Sequence, residues 1–232
     1  MKLKEFEAQE KQRIKRNLEY TENGVTFIDI RTAYIDEGVK IGKGTVIYPC
    51  VVIEGKVKIG ENCTIEQNSR IVDSTIGNGT TVQSSVILES RVGKETSVGP
   101  FAYLRPGSAI GDKCKVGDFV EVKNSSMGDG AKASHLTYIG DSDVGKNVNL
   151  GCGVVFVNYD GSQKYRSVVE DNAFIGCNSN LISPVHIGEG AYVAAGSTIT
   201  EDVPGGALYV ARSRGKTLRD WVEKKGILKK KK

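Results

Sequence analysis

The chain has 232 residues with 32 Lys and Arg against 28 Asp and Glu, and four of the positive charges are the terminal run Lys229–Lys232, so the remainder is neutral and lacks the basic face of a nucleic-acid-binding domain. Charged residues at 26% and apolar ones at 39% describe an ordinary soluble protein; no apolar run reaches the roughly 18 residues of a membrane span, and Met1–Glu10 lacks the apolar stretch of a signal peptide. Five cysteines without CxxC spacing read as reduced cytoplasmic thiols, and two histidines exclude a three-histidine zinc site within one chain.

Residues 1–20 (MKLKEFEAQEKQRIKRNLEY) are dense in charge with a few spaced apolar positions, and predict a helix or a frayed arm. Residues 21–203 carry a repeat. Aliphatic residues recur every six from Ile41 through Ile47, Ile53, Ile59, Ile65 and Ile71. Five-residue steps then enter at Ile76, Ile87, Val92, Met127 and Val144, and the series closes at Ile199. Of 27 such positions 24 are Ile, Leu or Val and 13 are followed by glycine, about four times glycine's share of the chain, which only a true repeat produces.

A period of six fits neither the 3.6 of a helix nor the 2 of a surface strand. It fits a short strand and a tight turn in which glycine supplies the permissive backbone. Three units close a triangular coil, so 27 make about nine coils and, at about 4.8 Å per coil, a prism roughly 40 Å long. The fold class is therefore all-β, a parallel β-helix of hexapeptide repeats. Asn158–Val168 (NYDGSQKYRSV) interrupts the hexads and predicts a loop, 158–168, thrown out of the prism. Beyond Pro204 the chain leaves the repeat as an extension, 204–232, with a short helix over Leu218–Lys225 and a solvated basic tail.

Every third hexad lies on the same face one coil further on, so columns are readable. His135, Cys152, Cys177 and Ala195 share the third position of their hexads and form one line parallel to the prism axis. Arg105 and Lys123 stack one coil apart, about 4.8 Å, and repel unless they embrace an anion or point apart as solvated cations. A lone histidine is more often a surface residue than a catalyst, but His135 follows Ala133, where the aliphatic ladder is relaxed. His186 falls where the turn faces solvent.

The strings SHLTYIGD and NVNLGCGVVFVNYDG, within 117–161, are far more specific than the hexads. With them, the stretch from about Glu22 to Arg212 resembles the acetyltransferase half of the bifunctional glucosamine-1-phosphate N-acetyltransferase / N-acetylglucosamine-1-phosphate uridyltransferase family. The resemblance implies a left-handed β-helix, a homotrimer and a site between subunits. It implies a catalytic His135, with phosphate ligands Arg105, Lys123, Tyr138 and Lys164. Glu121 and Asn149 fall at sugar-contacting positions, and Asn158 and Tyr159 around the amine and acetyl group. Cys152, Cys177, Ala195 and Arg212 fall on the acetyl-CoA side. The family usually has Ala at 152 and Ser at 177, so the two cysteines are departures. The 20 residues ahead of the prism cannot house a uridyltransferase domain, so that second reaction is not expected of this chain, and a separate uridyltransferase protein is a further expected partner.

The implied reaction is acetyl transfer from acetyl-CoA to the amine of glucosamine 1-phosphate, a precursor step to UDP-N-acetylglucosamine. His135 takes a proton from the sugar amine, for which an imidazole suits neutral pH. Donors near Asn158 and the backbone around Cys152 stabilise the tetrahedral oxyanion. No metal is required, because the thioester is already activated. The alternatives are another amino sugar or nucleotide-sugar as acceptor, or an inactive trimeric scaffold. A hexapeptide carbonic anhydrase would need three histidines.

Overall fold

The computed structural model describes residues 3–227. The Lys229–Lys232 run lies outside the described residues. Helix α1 (Leu3–Glu22) comes first, then thirty short parallel strands on three faces, then helix α2 (Trp221–Lys224). The first face begins with Thr26–Phe27 and has eleven strands, the second with Tyr34–Ile35 and has ten, and the third with Lys40–Ile41 and has nine. Apart from the strands at the two ends, each pairs with the one three places earlier and three places later, which makes a parallel β-solenoid.

There are about ten turns, against nine counted from the hexads. The extra one precedes Ile41, where the long corner Ile28–Ala33 breaks the six-residue spacing. Leu208–Tyr209, inside the segment expected to be an extension, adds a last strand by pairing with Tyr192–Val193. The terminal helix is shorter than the expected Leu218–Lys225.

Helix α1 has a structural task that the sequence did not announce. Each turn donates its N–H groups to the carbonyls of the next, as Thr26 N does to Thr45 O, so the carbonyls of the first turn have no earlier turn to serve. Side chains of α1 supply the donors. Asn17 Nδ2, fully buried, bonds Ile30 O and Ala33 O at 3.0 Å each, Arg16 bonds Ile35 O at 2.8 Å, and the Tyr20 hydroxyl bonds Val39 O at 2.7 Å. A buried end of a solenoid would otherwise leave several unpaired carbonyls.

The aliphatic series lines the interior: Ile47, Ile53, Ile65, Ile71, Ile87 and Leu104 have no exposed surface. The five-residue steps also have a physical cause. At each, a residue at positive φ (Asp73, Ser84, Glu89, Asn124, Asp141) precedes a buried serine (Ser74, Ser85, Ser90, Ser125, Ser142). That serine hydroxyl donates to the carbonyl two residues back at 2.6–2.8 Å, closing a tighter corner. One of these corners delivers Asp141 to the site described next. Among the described residues no helix is long and apolar enough to cross a membrane.

Candidate active site

The corner joining the first and second faces carries His135. Strand Lys132–His135 pairs in register with Lys115–Asp118, which sets Asp118 directly against His135, and the Asp118 carboxylate meets His135 Nδ1 at 2.5 Å. The hydrogen bond from His135 holds the Asp118 carboxyl below the usual carboxylate range. With Nδ1 committed, Nε2 is the nitrogen left for chemistry. Gly117 permits the approach, because a Cβ there would collide with the Ser134 carbonyl.

The opposite edge of the second face carries the cations. Leu104 registers with Val122, so Arg105 and Lys123 are neighbours on adjacent turns, as the column reading expects. They are not bare. Arg105 Nη1 meets Glu121 Oε1 at 2.8 Å, and Lys123 Nζ meets Asp141 Oδ2 at 3.1 Å. Glu121, expected as a sugar contact, is thus already paired with Arg105. Lys164 reaches the same place from the inserted segment. Lys123 beside it, and after it Arg105, push Lys164 below the ordinary lysine value. Three cationic side chains converge, and Lys164 has no carboxylate of its own. Phosphate binding would raise Lys164 again, so the Michaelis constant for a phosphorylated ligand should begin to rise at a pH below the ordinary lysine range. A KM–pH profile flat to about pH 10 would contradict this.

Asp141 organises the centre. Burial pushes its carboxyl up, but hydrogen bonds from Asn124, Lys123 and Asn158 outweigh that and leave it below the usual range. Asn124 Nδ2 lies at 2.6 Å and Asn158 Nδ2 at 2.5 Å. The Asn158 amide also approaches the Tyr138 hydroxyl at 3.5 Å. Its side-chain amide is thus engaged by Asp141 and Tyr138. Gly140 leaves the room for it, since a Cβ would come within 2.5 Å of the Tyr138 hydroxyl and 2.7 Å of Asn158 Nδ2.

The expected site residues fall in two sets. Arg105, Glu121, Lys123, Tyr138, Asn158 and Lys164 gather on the second face and its far corner. Asn149 lies apart on the first face, in register with Lys132 and Phe174. By the same register Cys152, Cys177 and Ala195 follow His135 on successive turns, and Arg212 flanks Gly196 beside them. Tyr159 is about half exposed and bonds Gly161 O within its own loop. All five cysteines are free, with Cys177 exposed and Cys63 and Cys114 buried. His186, at the solvent-facing turn, pairs with Glu170 at 2.9 Å.

Asp118, Asp141, Asp143 and Arg166 were not among the residues expected. Asp118 was within reach: it is the third residue of its hexad, in the column of His135 one turn earlier. Asp141 shows only once the five-residue step is understood as a corner. Among the described residues no group of three or more His, Cys, Asp or Glu side chains is placed to hold a metal.

The bacterial transferase hexapeptide (six repeats) model matches residues 38–73 and 166–201. The chain is 56% identical over 223 residues to the bifunctional protein GlmU of Clostridium beijerinckii, covering 96% of this chain and 49% of that protein. It is 56% identical over 218 residues to GlmU of Clostridioides difficile, covering 94% and 48%. To GlmU of Clostridium botulinum it is 54% identical over 230 residues, covering 99% and 50%. The chain thus spans about half the length of the curated relatives it matches. Among solved structures, an Arabidopsis UDP-N-acetylglucosamine acyltransferase superposes with a TM-score of 0.60 at 20% identity, over 85% of this chain and 76% of that one, a likeness of fold. The hexapeptide match goes with the left-handed sense of the β-helix. Over its length, this chain is a homologue of the C-terminal, hexapeptide-repeat acetyltransferase half of the bifunctional GlmU proteins.

Proposed function

We propose that the chain transfers an acetyl group from acetyl-CoA to the amine of glucosamine 1-phosphate. One observation carries this reading: the His135–Asp118 pair and the Arg105–Lys123–Lys164 cluster stand at opposite edges of one narrow face. Only the corner residues Leu136 and Thr137 separate His135 from Tyr138, so a phosphorylated amino sugar lying along the face reaches from one edge toward the other. With phosphate at the cations, the amine falls at His135 Nε2. His135 takes a proton from the ammonium, and the freed lone pair attacks the thioester carbonyl. Collapse of the tetrahedral adduct expels the CoA sulfur, which receives the proton from His135, while the second proton of the former ammonium leaves the nitrogen to solvent as the amide forms. Binding energy spent on the phosphate orients the distant amine.

The line His135, Cys152, Cys177 and Ala195 supports the donor side. It runs about 15 Å along the axis at one turn per residue and ends near the cation Arg212. That suits an extended acyl-CoA with its thioester at His135 and its phosphates at the far end. Reduced thiols and a cytoplasmic setting go with this reading.

The reading also calls for a homotrimer with sites between subunits. Asn149 lies on a different face from the acceptor cluster, so a second copy would bring the one to the other. Phe101, Phe119 and Leu136 form an exposed ridge beside the His135–Asp118 pair, with Phe101 and Phe119 stacked at 5.6 Å. All three sit at positive φ (57°, 55° and 48°), where bulky residues are strained, and such cost at an exposed apolar patch points to a surface that is covered. Phe119→Asp should therefore shift the solution mass from three chains to one and abolish acetyl transfer. A trimer unaffected by that charge would remove the ridge from the interface.

The direct test is thiol release from acetyl-CoA with glucosamine 1-phosphate and with unphosphorylated glucosamine. Rapid release with the first alone is expected. Release with neither would favour an inactive scaffold, and release only with another amino sugar would change the acceptor.

A further inference from the structure

The inserted segment 158–168 brings Lys164 to a place it would leave on electrostatic grounds. Lys123 and Arg105 already occupy that corner, and their charge lowers the proton affinity of Lys164. Beside Lys123 and Arg105 this exposed cation is repelled, and a four-carbon side chain on a surface loop is free to swing away. Something must hold the loop against that repulsion.

Most of the loop's bonds are internal. Tyr159 and Lys164 form an antiparallel bridge, Tyr165 N donates to Asn158 O at 2.9 Å, and Asp160 Oδ1 accepts the Ser162 and Gln163 N–H groups at 2.7 and 2.8 Å. These close a hairpin but do not aim it. The ends of the hairpin are fixed to the prism at two carboxylates two residues apart. On one side Asn158 bonds Asp141. On the other, Arg166 grips Asp143 through Nε at 2.5 Å and Nη2 at 2.6 Å, and reaches the carbonyls of Asn124 (3.0 Å) and Ser142 (3.3 Å). Ser126 Oγ donates to Asp143 at 2.7 Å and holds that carboxylate in place. The guanidinium makes a planar two-point contact that a lysine cannot reproduce. Arg166 itself stands two residues from Lys164.

We propose that the Arg166–Asp143 clasp is a positioning device for acceptor recognition: it holds the hairpin so that Lys164 stays beside Lys123 and Arg105 before any anion arrives. The site is then pre-organised for a phosphate monoester, and the bound ligand need not pay for ordering the loop. This inference rests on the proposed phosphate site. Arg166 touches neither acceptor nor donor and acts through Lys164.

The test is a double-mutant cycle on Arg166 and Lys164 in the full chain, read by calorimetric binding of inorganic phosphate and by the KM for glucosamine 1-phosphate. Arg166→Ala is expected to weaken phosphate binding and raise the acceptor KM about tenfold, with Arg166→Lys intermediate. The KM for acetyl-CoA should stay unchanged. In a Lys164→Ala background the Arg166→Ala change should have almost no further effect, since the cation it positions is gone. Additive losses, or an equal rise in both Michaelis constants, would assign Arg166 to general stability and overturn the proposal. Wild-type protein that binds no phosphate would instead overturn the phosphate site itself, whereas phosphate binding that ignores Arg166→Ala would overturn only the clasp.

Discussion

His135→Ala should lower kcat for acetyl transfer by about 10²–10⁴, the usual scale for a general base, while leaving the acceptor KM within a few-fold of wild type. The separation follows from the geometry, because the phosphate ligands stand at the far edge of the second face and none of them touches His135. Asp118→Asn should fall between the two enzymes. An asparagine side chain can turn its oxygen or its amide toward Nδ1, so orientation is partly kept, but the charge that stabilises the imidazolium is lost. Because Asp118 has a depressed carboxyl, the pairing is present above the ordinary carboxylate range and is lost only as pH falls through that lowered value. The pH–rate profile of the wild type should therefore show no loss from Asp118 near pH 4–5. Measurement of kcat and KM across pH for the three proteins checks this, and an His135→Ala enzyme of normal kcat would falsify the assignment.

Asp141→Ala should produce the second large effect, and it should appear in KM and in stability together. This carboxylate is buried and holds Lys123, Asn124 and Asn158 at once. Its removal leaves Lys123, whose side chain is only 19% exposed, with an uncompensated charge, and frees the Asn158 end of the loop. Breaking a fully buried pair from one side costs about 3–5 kcal/mol. Lys123 retains some solvent, so about 2–3 kcal/mol is the appropriate scale, or roughly tenfold in acceptor kcat/KM if half of it appears in binding and roughly a hundredfold if nearly all of it does. Asp141→Asn keeps the shape and should recover stability better than affinity, since the amide cannot balance Lys123. Thermal unfolding and acceptor kinetics on both variants decide the matter. An unchanged melting temperature with an unchanged acceptor KM would leave Asp141 without the role assigned to it.

Much of this molecule was legible in its residues because a solenoid is nearly one-dimensional. The inward positions from Ile47 to Ile199 recur at a spacing that only a three-faced coil satisfies, so the sequence alone determined the parallel β-helix and the stacking of Arg105 on Lys123 and of His135 on Cys152. The specific strings around His135 and Asn158 led to the same half of the bifunctional relatives that the sequence match identifies. What required the tertiary structure were the contacts that run between turns or depart from the repeat. The carboxylates are the clearest case. Asp118 could be read from the column of His135, but Asp141 and Asp143 look like surface residues in a string of hexads, and only pairing across turns, together with the serine-closed corner at Asp141–Ser142, brings them to Lys123 and Arg166. The helix α1 donors are another, because orphan carbonyls exist only where a stack of turns ends. The aim of Lys164 belongs to the same class: a loop outside the repeat has no column to fix it, so its direction was decided by which prism residues it could grip.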